Sequence, residues 1–408
     1  MEGSTIKRKQ PVVVIGHGYT SRLGIIRSLG VAGCRITVLV QAYHGRLGRA
    51  LRFDGGTPVD CCSKYVERVL WCPAESESEI IRMLLTHCTD PGQKVVLIPD
   101  SDFAVAAVDR HAAELAPYFI FPQAGPTPGG LEAWMDKSAQ KALARKDGLP
   151  VAEAFVLPAA ADTVLPAEIP YPCFTKPVQT IRGGKTFRRC NDEKALREAL
   201  AEIAAHGGTQ VLAERYMPIG VEYALLGFAD GTGEVCIPAV IEFTEAGQRH
   251  FGIARTGRVL PPEPFQAVLD RFTALVRSIG YAGLFDIDFY ESGGVLYFNE
   301  LNLRFGGSGY AVTAAGVNLP AMYVRSACGR TIADMPRKVR SVKTFVNERM
   351  CIDDWSFYYL SEAEARARIA AADIRFVDDP DDPGPQRKLE RYVRQQKIKR
   401  VLRKWLKK

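Results

Sequence analysis

Leu284-Phe285-Asp286-Ile287-Asp288-Phe289-Tyr290 runs through Glu291-Ser292-Gly293-Gly294 into Val295-Leu296-Tyr297-Phe298-Asn299-Glu300-Leu301-Asn302-Leu303-Arg304. Two β-rich runs joined by a glycine-bearing turn predict a hairpin. Side chains two apart on a strand share a face. Asp286 and Asp288 therefore point one way from the first strand, and Glu300 and Asn302 point one way from the second. Carboxylates with an amide oxygen are all-oxygen ligands, suited to a Mg²⁺ ion that also holds substrate phosphates. A solvated polar face has the same residue types. The apolar company of Tyr297, Phe298, Leu301 and Leu303 instead sets these polar groups within a folded core region.

Upstream of the hairpin the chain supplies cations. Lys176 ends a strand-like piece, Cys173–Lys176. The loop that follows, Pro177–Arg188, contains Arg182-Gly183-Gly184-Lys185-Thr186. A glycine-bearing loop can lay backbone N–H groups over phosphates, and lysines add point charges. The Walker spacing is absent. Each lysine alone reads as a surface charge, and the order of lysines before an acidic cluster is what informs.

Working outward, Val12–Ile15, the turn Gly16-His17-Gly18, a helix over Ser21–Leu29 and a strand over Arg35–Val40 open a parallel α/β sheet. Ser21 stands where a dinucleotide fingerprint would have its third glycine. The turn is then either a tight packing turn or a ligand site at the end of the first strand. Lys94–Ile98 is a further strand, with Asp100 or Ser101 capping the next helix. Phe119–Phe121 closes this unit, and Pro122–Gly130 marks a boundary. Beyond it come an amphipathic helix over Leu131–Arg145, strands at Ala154–Val156, Gln210–Glu214, Glu222–Phe228 and Val235–Phe243, and helices at Asp192–Ala205 and Gln266–Ile279.

This ordered set resembles the ATP-grasp superfamily, and within it the carboxylate–amine ligases. The residues that carry the resemblance are Asp136-Lys137, Phe174-Thr175-Lys176-Pro177, Gly183-Gly184, Leu212-Ala213-Glu214-Arg215-Tyr216-Met217, Glu222, Gly280-Tyr281-Ala282-Gly283 through Asp288, and Phe298 through Arg304. They span roughly residues 11 to 330. The resemblance implies an α/β fold with an N-terminal open parallel sheet (a pre-ATP-grasp domain, 1–127). A two-subdomain ATP-grasp fold follows (128–340, small subdomain about 150–217); beyond the stretch that carries the resemblance, the chain itself reads as an extension (341–385) and a basic amphipathic helix (386–408). The resemblance implies ATP and Mg²⁺ as cofactors, two ions, with Mn²⁺ as a substitute. Lys137 and Lys176 would meet ATP phosphates, with Gly183 and Gly184 over them. Glu214, Arg215, Tyr216 and Met217 would form the adenine hinge, and Glu222 would take the ribose. Asp288, Glu300 and Asn302 would hold the metal, Asp288 being preferred to Asp286 by its spacing to Glu300. Arg304 and Lys185 would act on the transferred phosphoryl group. One departure is Asp286, where some ligases of the superfamily carry arginine.

The turn Arg304-Phe305-Gly306-Gly307-Ser308-Gly309-Tyr310 followed by Thr313–Pro320 looks most like D-aspartate ligases and related amino-acid ligases. That implies an amino-acid carboxylate joined to a peptide or cell-wall-precursor amine. The turn could equally be a helix entry with no ligand. The rival expectations are a carboxylase-like enzyme using bicarbonate and a non-catalytic nucleotide-binding membrane adaptor.

Composition is consistent with this. The chain has 408 residues, 47% hydrophobic and 24% charged, which is ordinary for globular domains and excludes disordered and collagenous classes. Ten cysteines without a C-x-x-C pair, and six scattered histidines, support no zinc or redox motif. The net charge of +7 is local: residues 387–408 hold eleven Lys/Arg against Glu390 alone, so the remainder is slightly acidic. A nucleic-acid-binding core is thus disfavoured. The tail, with Ile398, Val401, Leu402, Trp405 and Leu406 at helical spacing, reads as a segment attracted to an anionic membrane. A solvated helix and an oligomer contact are the bland alternatives. With no apolar leader before Val12, the expectation is a cytoplasmic protein, peripheral at the inner face of the membrane.

Overall fold

The computed structural model describes residues 9–16, 20–41, 57–72, 76–160, 162–179, 187–247 and 253–406. Lys185, Gly183 and Gly184 lie outside the described residues. The first sheet is built from β1 (Pro11–Gly16), β2 (Arg35–Val40), β3 (Val66–Trp71), β4 (Val95–Pro99) and β5 (Phe119–Ile120). Its order is β3-β2-β1-β4-β5, and every pair is parallel. All six residues of β1 are buried, as a continuous Pro-Val-Val-Val-Ile-Gly run requires when helices cover both faces. The strand order reverses beside β1, and the crevice at the carboxyl ends there is where open α/β sheets take ligands. Ser101 is the residue that caps the helix Asp102–Arg110, accepting from Ala104 N at 3.2 Å. Residues 122–130, read as a boundary, contain β6 (Gln123–Ala124), which pairs with the third sheet.

β7 (Ala154–Pro158), β8 (Cys173–Pro177), β9 (Arg188–Cys190) and β10 (Gln210–Arg215) form an antiparallel sheet in the order β7-β10-β8-β9. The helix Glu193–Ala205 lays Leu196, Ala199, Leu200 and Ile203 on it. That i, i+3, i+4, i+7 stripe is the amphipathic pattern of a sheet-covering helix.

The third and largest sheet comprises β11 (Val221–Asp230), β12 (Val235–Cys236), β13 (Val240–Ala246), β14 (Ala254–Leu260), β15 (Tyr281–Ser292), β16 (Val295–Asn302), β17 (Lys343–Val346) and β18 (Ile374–Arg375), with β6 at its margin. The predicted hairpin is β15–β16. Its long pairing with β11 buries Leu225, Phe285, Ile287, Phe289, Phe298 and Leu301 in one core cluster.

Two expectations are corrected. The helix expected over Leu131–Arg145 is two helices, Leu131–Trp134 and Lys137–Lys146. Asp136 breaks it by capping the second, accepting from Ser138 N at 2.8 Å and Ala139 N at 2.9 Å. Val235–Phe243 is two strands rather than one, and Pro238 in the gap cannot donate to a ladder. The acidic stretch 378–385, at the end of the expected extension, is fastened to the first sheet's unit. Buried Asp382 accepts from Arg27 Nε at 3.0 Å, Ser63 Oγ at 2.8 Å and Lys64 N at 2.8 Å. Among the described residues no helix is long and apolar enough to cross a membrane.

Candidate functional site

Sheet register builds the acidic face. Asp288 lies opposite Glu300 on β16 and opposite Ala224 on β11, while Asp286 lies opposite Asn302 and Leu226. Residues directly opposite share a face. Asp286, Asp288, Glu300 and Asn302 therefore project together, and Glu222, two positions before Ala224 and opposite Tyr290, shares that side. The pairing shifts between Asp288 and Phe289, where Asn299 is the extra residue of a β-bulge. The bulge re-aims Asn299, whose Oδ1 accepts from Lys176 Nζ at 3.0 Å.

The carboxyls of this face are buried and crowd one another. Desolvation, then the Glu300 carboxylate, pushes Asp288 up to about 7. Burial, then Asp288, holds Asp286 well above the usual carboxylate range, and Asp286 Oδ1 is buried without a hydrogen-bond partner. Asn302 Nδ2 donates to Asp288 Oδ2 at 3.2 Å. Among the described residues no three His, Cys, Asp or Glu converge as a metal cluster. The set that fits a hard divalent ion is two carboxylates, Asp288 and Glu300, with the Asn302 amide oxygen, and its crowded acids gain from a cation.

Cations line the other wall. Lys137 Nζ sits 2.9 Å from Glu300 Oε1. Burial works against this ammonium, but Glu300 outweighs it with the other acids nearby, and its pKa is raised. Glu214, at the end of β10, lies between Lys141 Nζ at 2.7 Å and Lys176 Nζ at 3.1 Å. Burial would raise Glu214, yet Lys176 and Lys141 together keep it below its usual range. The helix bearing both Lys137 and Lys141 is locked to β16 by Gln140, which donates to Leu301 O at 2.7 Å and accepts from Leu301 N at 2.9 Å. A small cleft opens between them, lined by Asp102, Lys137, Glu300 and Asn302 among others.

Arg304 closes the site toward the first sheet. Its Nε donates to Asp102 Oδ1 at 2.9 Å and a terminal nitrogen donates to Asn302 Oδ1 at 3.2 Å. Gly306 packs on the acidic face so closely that a Cβ there would come 2.2 Å from Asp286 Oδ2. Of the other expected residues, Arg215 turns outward and donates to Glu153 at 2.5 Å. Tyr216 lies under Arg189, whose guanidinium is 4.2 Å from the ring centre. Met217 is half-buried and Glu222 is half-buried with its carboxyl raised by burial.

Sequence reasoning missed Lys141, Asp102, Gln140 and Asn299. Lys141 could have been found: four residues after Lys137, it falls on the same helix face. Asp102 and Asn299 had no such signal, since a residue inside a helix start and a bulge are both defined by distant partners.

The ATP-grasp domain model matches residues 142–320. The D-alanine–D-alanine ligase of Anaeromyxobacter sp. (strain K) is 31% identical over 270 residues, covering 57% of this chain and 85% of that one. The chain belongs to the ATP-grasp family. The carbamoyl phosphate synthase large chain of Myxococcus xanthus (strain DK1622) is 28% identical over 223 residues. That alignment takes in 52% of this ATP-grasp chain but only 20% of the synthase, so the chain spans about a fifth of the length of such relatives. The L-amino acid ligase from Bacillus licheniformis shares the fold with a TM-score of 0.60 at 19% identity, over 83% of this chain and 79% of that one.

Proposed function

We propose that this ATP-grasp protein is an ATP- and Mg²⁺-dependent carboxylate–amine ligase. The observation that carries the reading is the meeting of two walls. Lys137 pairs with Glu300, and Lys176 pairs with Glu214 and reaches Asn299 beside Glu300, while Glu300 lies opposite Asp288 and Asn302 accepts from Arg304. A free carboxylate is a poor acyl donor because oxide would have to leave. Its oxygen attacks the γ-phosphorus of ATP, the bond to the ADP oxygen breaks, and an acyl phosphate results. An amine nitrogen then attacks the acyl carbon, phosphate departs, the nitrogen loses a proton, and an amide remains.

Each residue has a part in this reading. Lys137 and Lys176 hold phosphates, and Gly183, Gly184 and Lys185 cover them. Glu214 and the backbone of Arg215, Tyr216 and Met217 hold adenine, and Glu222 holds the ribose. Arg304 stabilises charge on the transferring phosphoryl group. Asp288, Glu300 and Asn302 hold Mg²⁺, two ions or Mn²⁺ in their place, which when bound neutralises phosphate charge. The glycine-rich turn after Arg304 offers N–H groups to a substrate carboxylate. This supports an amino acid such as D-aspartate as the acid and a peptide or wall-precursor amine as the acceptor. The protein works in the cytoplasm, at the inner face of the membrane, which its basic terminal helix contacts.

Phosphate release from Mg-ATP across a panel of amino acids and amines tests the reading, with Glu300→Ala as control. Release that requires both an acid and an amine, and is lost in the variant, is expected. Release with bicarbonate alone would replace the ligase by a carboxylase-like enzyme, and ATP binding without release across the panel would replace it by a nucleotide-binding adaptor.

A further inference from the structure

We propose that Lys141 is a positioning residue of the nucleotide site, whose buried ammonium fixes the Glu214 carboxylate so that the adenine hinge is set before ATP arrives. The inference deepens the proposed function and rests on its assignment of Glu214 to adenine.

Lys141 is only 2% exposed, and lysine is almost never so buried unless paired. Its Nζ is 2.7 Å from Glu214 Oε1, and Lys176 takes the other oxygen of the same carboxylate at 3.1 Å. Two ammonium groups thus grip one carboxylate from two elements, the helix Lys137–Lys146 and the strand β8. Among the described residues Lys176 has a second polar tie, reaching Asn299 on β16. Lys176 is therefore shared between the hinge and the metal-bearing strand and is free to lean either way when phosphates bind. Among the described residues Lys141 pairs with Glu214 of the hinge, on a helix that Gln140 clamps to β16. It holds Glu214 in place while Lys176 moves toward phosphate.

The environment supports a charge held at some cost. Burial, with Lys176 alongside, pulls Lys141 down to about 8, against the pull of Glu214 and Glu300. The charged groups that face it are Glu214 on β10, Lys176 on β8 and Glu300 on β16. Loss of the proton leaves Glu214 to Lys176 alone, which binds that lysine to the hinge and withdraws it from phosphate.

The experiment is equilibrium binding of Mg-ATP to the full chain by calorimetry between pH 7 and 9.5, for the wild type, Lys141→Met and Lys141→Arg. The wild type should bind more weakly as pH rises through about 8. Lys141→Met should bind about tenfold more weakly at pH 7, the scale of one charge-assisted hydrogen bond, and lose the inflection near pH 8. Lys141→Arg should bind near the wild-type level at pH 7 and also lack the inflection, because arginine keeps its proton. Wild-type affinity in Lys141→Met at every pH, or an inflection that survives in both variants, would overturn the proposal. A wild type that binds no ATP at all would instead sink the nucleotide reading beneath it.

Discussion

Arg304 donates to Asp102 at 2.9 Å across 202 positions of sequence, so a side chain at the mouth of the acidic face is held by the first turn of a helix on the first sheet. The contact links the sheet that carries the ligand crevice to the strand that carries Glu300 and Asn302. Asp102→Asn keeps the shape and removes the charge that steers the guanidinium. The expected result is a fall in kcat of roughly tenfold to a hundredfold, with ATP affinity nearly unchanged. That pattern marks an interaction used on the transferring group rather than in nucleotide binding. Steady-state kinetics beside a direct ATP-binding measurement check it. An unchanged kcat would mean that Asn302 alone suffices to hold Arg304.

Much of this was legible in the sequence, for local reasons. The β15–β16 hairpin announces itself by alternation and a Glu-Ser-Gly-Gly turn, and its period of two places Glu300 and Asn302 on one face before any fold is known. The all-buried β1 is readable because a parallel strand covered twice has no polar face to show. What escaped depends on partners far away. Asp102 gains meaning from Arg304, and Arg27 from Asp382 and the carbonyl oxygens of Phe376 and Val377. Nothing in Lys137-Ser138-Ala139-Gln140-Lys141 marks Lys141 as buried, because burial of that helix face is decided by β10 and β16 rather than by the helix. Register sets Asp288 across from Glu300 and Asp286 across from Asn302, with Asp286 beneath Gly306.

Gly306→Ala tests that close approach. The new Cβ would stand 2.2 Å from Asp286 Oδ2 and 3.0 Å from Leu226 Cδ1. Asp286 is buried on the sheet, so its side chain or the turn after Arg304 must shift. A loss of about 1–3 kcal/mol of stability, typical of overpacking, should accompany reduced activity. Adding Asp286→Ala should restore part of the stability, since it removes the atoms struck. Urea denaturation of the single and double variants gives the answer. A double variant less stable than the sum of the two single effects would rule out the steric account.

Lys141 also leaves a mark on stability. Its folded pKa of about 8 lies below the usual 10.5 of lysine. Between those values the unfolded chain holds the proton and the folded chain has released it. Stability contributed by this site therefore rises with pH across that window, by roughly 3 kcal/mol for a shift of this size. Below pH 8 both states carry the proton and the folded protein bears the full cost of the buried charge. Denaturation of the wild type and of Lys141→Met at pH 7.5 and 9.5 isolates the term. The wild type should gain on the variant as pH rises. A difference that stays flat would mean that Lys141 titrates normally.

The terminal helix Pro383–Leu406 sets the terms for testing membrane contact. Its inner side is taken up by the body: Leu389 is 3% exposed, Tyr392 donates to Asp353 at 2.7 Å, and Gln396 accepts from Ser356 at 2.8 Å. Deleting residues 387–408 would uncover that interface and unsettle the fold, so a truncated chain that fails to bind vesicles would prove little. Arg387, Arg391 and Arg394 are exposed, and their spacing puts them on one outer face. Attraction to an anionic bilayer is worth about 1 kcal/mol per basic residue near the surface. Reversing all three to glutamate while keeping the docked side should therefore weaken co-sedimentation with phosphatidylserine vesicles by a hundredfold or more, as an order of magnitude. Wild-type binding should fall as salt is raised, because exposed charges are screened. Equal sedimentation of the two proteins at low salt would remove the membrane from the reading and leave the helix as a brace that holds the C-terminal segment on the body.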